Sequence, residues 1–211
     1  MPAHRIHLIR HGEVHNPNGV LYGRLPNFRL SELGQSMAHS AAVNLKNQQR
    51  KISALYVSPL QRTQESAAPV ASLFGLKPIL DDRLLEPTNV FEGRPLSAKY
   101  LATRPHLWLH LRDPKTPSWG EPYEQISKRM LEVIHEAWEQ TESGDVVLVS
   151  HQLPIEIVKR TLSGRPLQHN PKQRRVDLSS ITSIERVGNS FAEVDYQRPA
   201  DLARAIDRGA V

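Results

Sequence analysis

The sequence predicts an α/β domain in three layers, with a mostly parallel central sheet flanked by helices and one antiparallel edge. Three observations predict it. Short apolar runs at Arg5–Ile9, Ile52–Val57 and Asp145–Val149 alternate with longer stretches of helical character. The run Val146-Val147-Leu148-Val149 is continuously apolar rather than alternating, as a strand buried on both faces requires. Ser180–Arg186 and Phe191–Tyr196 flank Gly188-Asn189 and read as a hairpin at the sheet edge. The 211 residues are enough for one such domain with a full core, and 39% hydrophobic with 23% charged residues is ordinary for a globular chain.

In chain order, the first strand runs straight into Arg10, His11 and Gly12, with the glycine allowing a turn that a Cβ would hinder. A polar loop from Gly12 to Leu30 follows, long enough to have a functional role. Ser31 reads as the N-cap of a helix to about Gln49, with Glu32 favourably placed at the positive end of its dipole. After the second strand, Ser58-Pro59-Leu60-Gln61 has the pattern of a capping box opening a helix to about Phe74, closed by Gly75. Arg62 falls in that helix's first turn, where a cation is disfavoured unless it shares an anion with the helix N-terminus.

Lys77–Leu80 reads as a third strand, leading through Asp81-Asp82-Arg83 to Leu84-Leu85-Glu86. Residues 88–121 read as an irregular insertion with short helical pieces near Ser97–Thr103 and His106–Leu111. Tyr123–Glu142 carries Ile126, Met130, Val133, Ile134 and Ala137 on one helical stripe. The strand from Asp145 ends at Ser150-His151-Gln152, and Pro154 opens a helix to Leu162 that Gly164 closes. The charged tail after Pro199 is expected to fray.

The absence of cysteine excludes disulfides and thiolate chemistry. No apolar run has the length of a membrane span and the N-terminus lacks the apolar core of a secretory signal, so a cytoplasmic location is expected. A net charge of +5 favours anionic partners, and scattered basic residues suit a small phosphorylated substrate better than nucleic acid or a membrane. A homodimer is compatible with the chain, which does not decide the oligomeric state.

Four segment ends thus deliver Arg10 with His11, Arg62, Glu86, and His151, and sites in open α/β sheets lie at the carboxyl ends of strands. Two guanidiniums and a protonated imidazole match a dianionic phosphoryl group. The same cations depress the pKa of His11, and a neutral imidazole is a nucleophile for phosphorus. Glu86 is the carboxyl placed to act as general acid, which requires burial to raise its pKa.

These residues resemble the histidine phosphatase superfamily, in the branch containing phosphoglycerate mutase and its related phosphatases. R-H-G-E at Arg10–Glu13, S-P-L-Q-R-T-Q-E-S-A at Ser58–Ala67, L-L-E at Leu84–Glu86, F-E-G at Phe91–Gly93 and V-S-H at Val149–His151 match in order. The resemblance implies a phosphoglycerate mutase-like fold, no cofactor and no metal. By it His11 becomes a phosphohistidine, Arg10, Arg62 and His151 form the phosphate pocket, and Glu86 is the proton donor. It likens Tyr22-Gly23 to the family's substrate-contacting loop. Asn16 lies one residue early for the loop asparagine that supports the phosphate, and Gln152 stands where a glycine often approaches it. Gln152 offers its N–H there, provided its side chain points away. Sixty-five positions separate Glu86 from His151, which fits the shorter phosphatase-like members rather than the mutases. Arg94, Tyr100, Arg104, His106, Trp108, His110, Arg112 and Trp119 are candidates for a specificity pocket within the insertion.

Two rival readings remain. The histidines at 4, 7, 11 and 15 suggest a metal by their spacing, but along a strand His4 and His7 point to opposite faces. A binding module that recognises phosphate needs neither the nucleophile nor the acid, and its contact would be the basic run Lys172–Arg175.

Overall fold

The computed structural model describes residues 3–95, 100, 103–105, 119–200, 205–207 and 209. Its strands are β1 (Arg5–Arg10), β2 (Ile52–Val57), β3 (Ile79–Leu80), β4 (Asp145–Ser150), β5 (Ile181–Val187) and β6 (Ser190–Gln197). They form one sheet in the order β3-β2-β4-β1-β5-β6. The β1–β4, β2–β4 and β2–β3 pairs are parallel, and β5 and β6 form the antiparallel edge. The helices are α1 (Glu32–Asn47), α2 (Gln61–Phe74), α3 (Tyr123–Gln140) and α4 (Gln152–Leu162).

Strand alternation divides the core in two. Ile6, Leu8, Val146 and Leu148 face α3 and α4, meeting the Ile126, Met130, Val133, Ile134 and Ala137 stripe. Ile9, Val147 and Val149 face α1 and α2, where Ala41, Leu45, Ala67 and Val70 receive them. All six residues of β4 are buried, because parallel neighbours flank it and helices cover both faces. Among the described residues no helix is long and apolar enough to cross a membrane.

Register makes the site. Arg10 stands beside Ser150 across the β1–β4 pair, and Val57 beside Val149 across β2–β4, so three strand ends are level. The ladder continues past them, with His11 N–H donating to the Ser150 carbonyl (3.2 Å) and Ser58 N–H to the Val149 carbonyl (3.0 Å). His11, Ser58 and His151 therefore leave the sheet side by side.

Several expectations are corrected. Ser58 does not cap α2: the helix starts at Gln61 with Leu60 at the cap position and no side-chain cap bond. Thr63 Oγ1 instead donates to the Ser58 and Leu60 carbonyls, leaving the Ser58 hydroxyl for His151. α4 begins at Gln152, two residues before Pro154, because a proline is tolerated in a helix's first turn. The third strand shrinks to Ile79–Leu80, both exposed, at 47% and 54%, as suits an edge with one partner. Glu86 is delivered by a 3-10 turn over Asp82–Leu84 and the loop after it, not by a strand end.

The predicted helical pieces near 97–103 and 106–111 fall largely outside the described residues. The ends of the segment are pinned together by an Asn89–Gly120 bridge, and Val90 N–H donates to the Trp119 carbonyl (2.8 Å). The tail does not simply fray: Ile206, Asp207 and Gly209 lie against the loop that follows β1.

Gly12 also acts differently from the expectation. A Cβ on it would sit 2.3 Å from the Gly34 carbonyl oxygen, and one on Gly34 would sit 2.0 Å from that of Glu13. The glycine pair lets the loop after β1 lie directly on the first turn of α1; close approach, not a left-handed turn, is what it provides. Gly34→Ala is expected to push the loop after β1 off the first turn of α1 and to destabilise the fold by about 1–3 kcal/mol, since the close backbone contact leaves no room for a methyl group. Chemical denaturation of Gly34→Ala with unchanged stability would refute this.

Candidate active site

His11 is fully buried, and its Nδ1 lies 2.8 Å from the Gly12 carbonyl, an acceptor that places the proton on Nδ1. Nε2 is then a lone pair, and it has no hydrogen-bond partner among the described residues. Burial, then Arg62 and Arg10, hold the pKa of His11 well below the ordinary value, so the ring is neutral near pH 7.

The guanidiniums around it are braced from behind. Arg62, in the first turn of α2, donates through Nη2 to the Gly23 carbonyl (2.7 Å) and to His151 Nδ1 (3.2 Å), and stacks on Tyr22 at 4.7 Å from the ring centre. Arg10 donates through Nη1 to the Val176 carbonyl (2.8 Å). The Nε atoms of both arginines are buried without a partner among the described residues. Two N–H donors and a lone pair are thereby left unpaired in one buried, charged cluster.

His151 lies edge-on to His11, with ring centres 5.2 Å apart. Ser58 Oγ is 2.8 Å from its Nε2, and with Arg62 donating to Nδ1 the proton belongs on Nε2, which donates to that hydroxyl. Burial and Arg62 hold this imidazole neutral too, in contrast to the protonated ring expected from sequence. Glu86 is completely buried, with Oε2 3.6 Å from His151 Nδ1 and neither oxygen hydrogen-bonded among the described residues. Burial drives its pKa up to about 7 against the opposing pull of Arg62, Arg174 and Arg10. That meets the requirement for an acid that still carries its proton near neutrality.

The structure thus brings Arg10, His11, Arg62, Glu86 and His151 together. Tyr22 is in the wall, 6.3 Å from the His11 ring, and the Gly23 carbonyl anchors Arg62. Asn16 is engaged elsewhere: its Nδ2 donates to the Val20 carbonyl (2.8 Å) and its Oδ1 accepts from Val20 N–H (3.2 Å), stapling the loop. Gln152 turns its side chain to Arg174, 3.2 Å away, leaving its backbone N–H at the start of α4. In the insertion, Arg104 stacks on Tyr100, and Trp119 packs on the Leu21–Phe91 pair, while His106, Trp108, His110 and Arg112 lie outside the described residues.

Sequence reasoning missed supporting residues. Ser66 Oγ accepts from Gly12 N–H (3.0 Å), and Arg24 Nε donates to the Glu86 carbonyl (2.5 Å). Arg129 binds Glu121 and the Arg83 carbonyl, placing one more cation within reach of His151 and Glu86. Ser66 lies within the Ser58–Ala67 match, but its partner Gly12, like the carbonyls that Arg24 and Arg129 reach, is distant in the chain.

His11, Glu86 and His151 each offer a ligand atom within 4.8 Å of the others, a grouping that could hold a metal by geometry. The electrostatics oppose it, because Arg10 and Arg62 act on both imidazoles as unfavourable neighbours for added positive charge. The pocket suits an anion.

The family model of the histidine phosphatase superfamily (branch 1) matches residues 6–198. The chain belongs to that superfamily. Among relatives, the uncharacterized protein Rv0525 of Mycobacterium tuberculosis (strain ATCC 25618 / H37Rv) is 45% identical over 199 residues, 94% of this chain and 98% of that one. The "Probable phosphoglycerate mutase GpmB" of Yersinia enterocolitica is 29% identical, over 94% of this chain and 88% of its own. Among solved structures, the mycobacterial glucosyl-3-phosphoglycerate phosphatase Rv2419c superposes with a TM-score of 0.73 at 25% identity, covering 94% of this chain and all of that one. Phosphatases and mutase-like proteins thus both occur among the histidine phosphatase relatives of this chain.

Proposed function

We propose that the protein is a metal-independent phosphatase that hydrolyses a small phosphate monoester through a phosphohistidine on His11. The observation that carries this reading is the His11 Nε2 lone pair, buried and unpartnered within the electrostatic reach of Arg10 and Arg62, whose Nε–H donors are unpartnered too. In the proposed reaction Nε2 attacks phosphorus in line, the P–O bond to the leaving group breaks, and Glu86 gives that oxygen its proton. Arg10, Arg62 and His151 bind the equatorial oxygens, and the arriving dianion favours protonation of His151. Glu86, now a carboxylate, takes a proton from water as it attacks the phosphohistidine, releasing phosphate and restoring the imidazole.

Beside Arg62 a cleft of about 590 Å³, lined in part by Arg24, Leu25, Phe28, Leu60 and Gln64, has room for a small leaving group. The alternative is a mutase, which would return the phosphoryl group to another oxygen of the same substrate; similarity to the GpmB protein favours it. Incubation with a panel of phosphorylated metabolites, scored for released phosphate and for isomerised product, separates the two. Stoichiometric isomer without phosphate would overturn the phosphatase reading.

Turnover is expected to persist in EDTA, because two arginines already supply the positive charge a metal would bring. Loss of activity in EDTA with recovery on adding a divalent metal would refute a metal-free reaction.

A further inference from the structure

Ile206, Asp207 and Gly209 lie against β1 and the loop that follows it. Ile206 N–H donates to Glu13 Oε2 (2.6 Å), and the Gly209 carbonyl accepts from Tyr22 N–H (3.1 Å). Gly209 has φ +87°, and a Cβ on it would stand 2.2 Å from the Val20 carbonyl oxygen, so this contact is tightly fitted. Between the two contacts Asp207 places its carboxylate on Arg10, with Oδ2 2.8 Å from Nη1 and Oδ1 2.5 Å from Nη2.

The orientation of that pair matters. A guanidinium has two double-donor edges, the end edge made by Nη1 and Nη2 and the side edge made by Nε and Nη2. Asp207 occupies the end edge of Arg10, and the Val176 carbonyl takes another Nη1 hydrogen. Nε, on the side edge, is buried and without a partner among the described residues, as is Nε of Arg62. Asp207 is 41% exposed while Arg10 is fully buried, so the carboxylate covers the end edge of the guanidinium from the solvent side and leaves Nε on the side edge unused.

We propose that Asp207 is a positioning residue: it clamps the end edge of Arg10 so that the side edge is presented to the phosphoryl group. The inference rests on the phosphate-binding reading of the pocket. It makes Asp207 part of the active site's construction, with the Ile206–Glu13 and Gly209–Tyr22 contacts as its anchors. A carboxylate in this place does not compete with substrate, because it holds the edge of Arg10 that the anion does not use.

The test uses the full chain and three variants, with vanadate and inorganic phosphate as probes of the pocket. Asp207→Asn keeps the shape and one acceptor but loses the charge and the second acceptor. Asp207→Glu keeps the fork. Gly209→Ala dislodges the Gly209 contact without altering the carboxylate, and serves alone should Asp207→Asn not fold. For Asp207→Asn and Gly209→Ala, the inhibition constants for vanadate and phosphate are expected to weaken by about tenfold or more, with a matching loss of kcat/KM on an aryl phosphate. Asp207→Glu is expected to recover most of the loss, which a defect in global stability alone would not produce.

Unchanged inhibition constants in folded Asp207→Asn or Gly209→Ala would overturn the role. Tighter phosphate binding would overturn it too, by showing a carboxylate that competes with the anion. Wild-type protein that neither binds phosphate by calorimetry nor turns over the aryl phosphate would remove the reading of the pocket itself, and Asp207's part with it. Wild-type binding matched by the variants would remove only Asp207.

Discussion

His11→Ala is expected to abolish turnover, with a fall in kcat on the order of 10⁴-fold or more, and to eliminate acid-labile ³²P labelling of the protein. The size follows from what is removed. Nε2 is a buried, unpartnered lone pair, and the ring's tautomer is set by the contact of Nδ1 with the Gly12 carbonyl. Deleting the ring leaves the arginines, so phosphate should still bind and only the covalent step should be lost. Persistence of label in the variant would transfer the phosphoryl acceptor to another residue. Because burial and the two cations hold His11 neutral, activity should not decline as pH falls from 8 toward 6 through protonation of this ring.

Glu86→Gln should separate substrates by leaving group. An alkyl phosphate needs a proton on its departing oxygen and should lose about 10²- to 10⁴-fold in kcat, whereas nitrophenolate departs almost unaided and should lose far less. Equal losses would remove Glu86 from the role of acid. In the wild type the acid form of Glu86 predominates below pH about 7, so turnover of the alkyl phosphate should decline as pH rises past that point. The decline should vanish in the glutamine variant.

The same substitution should stabilise the fold. A carboxyl whose folded pKa is raised from 4.5 to about 7 contributes fully below pH 4.5, and that contribution is lost as pH rises to about 7. Glu86→Gln should therefore be more stable than wild type at pH 8 by roughly 3 kcal/mol, and equal to it near pH 4. Chemical denaturation at the two pH values measures this. No gain at pH 8 would mean that the ionised carboxylate is better solvated than its burial implies.

The site residues were legible because each sits at a recognisable junction. Arg10-His11, Arg62 and His151 follow apolar runs whose length and composition mark them as buried strands, or open the helices that come next. Their supporting contacts were not legible. Ser58 has the local pattern of a helix cap, and only the arrival of His151 from β4 reveals that its hydroxyl is used elsewhere. Asp207, in a stretch of charged residues near the end of the chain, looks like solvent-exposed tail until it is seen against Arg10. Gly12 was expected to matter for its turn, whereas the carbonyl of Gly34 is what excludes a side chain.

By itself the sequence determined the α/β class and most of the strands and helices, and it marked the imidazoles, guanidiniums and carboxyl to look for. Hydrophobic period and turn chemistry are local properties, readable within a few residues. Tertiary structure alone decided the tautomer of His11, the neutrality of His151, the raised pKa of Glu86 and the bracing of Arg10 by Asp207. Each of these depends on burial and on partners far away in the chain, so it exists only once the strand ends have been brought level.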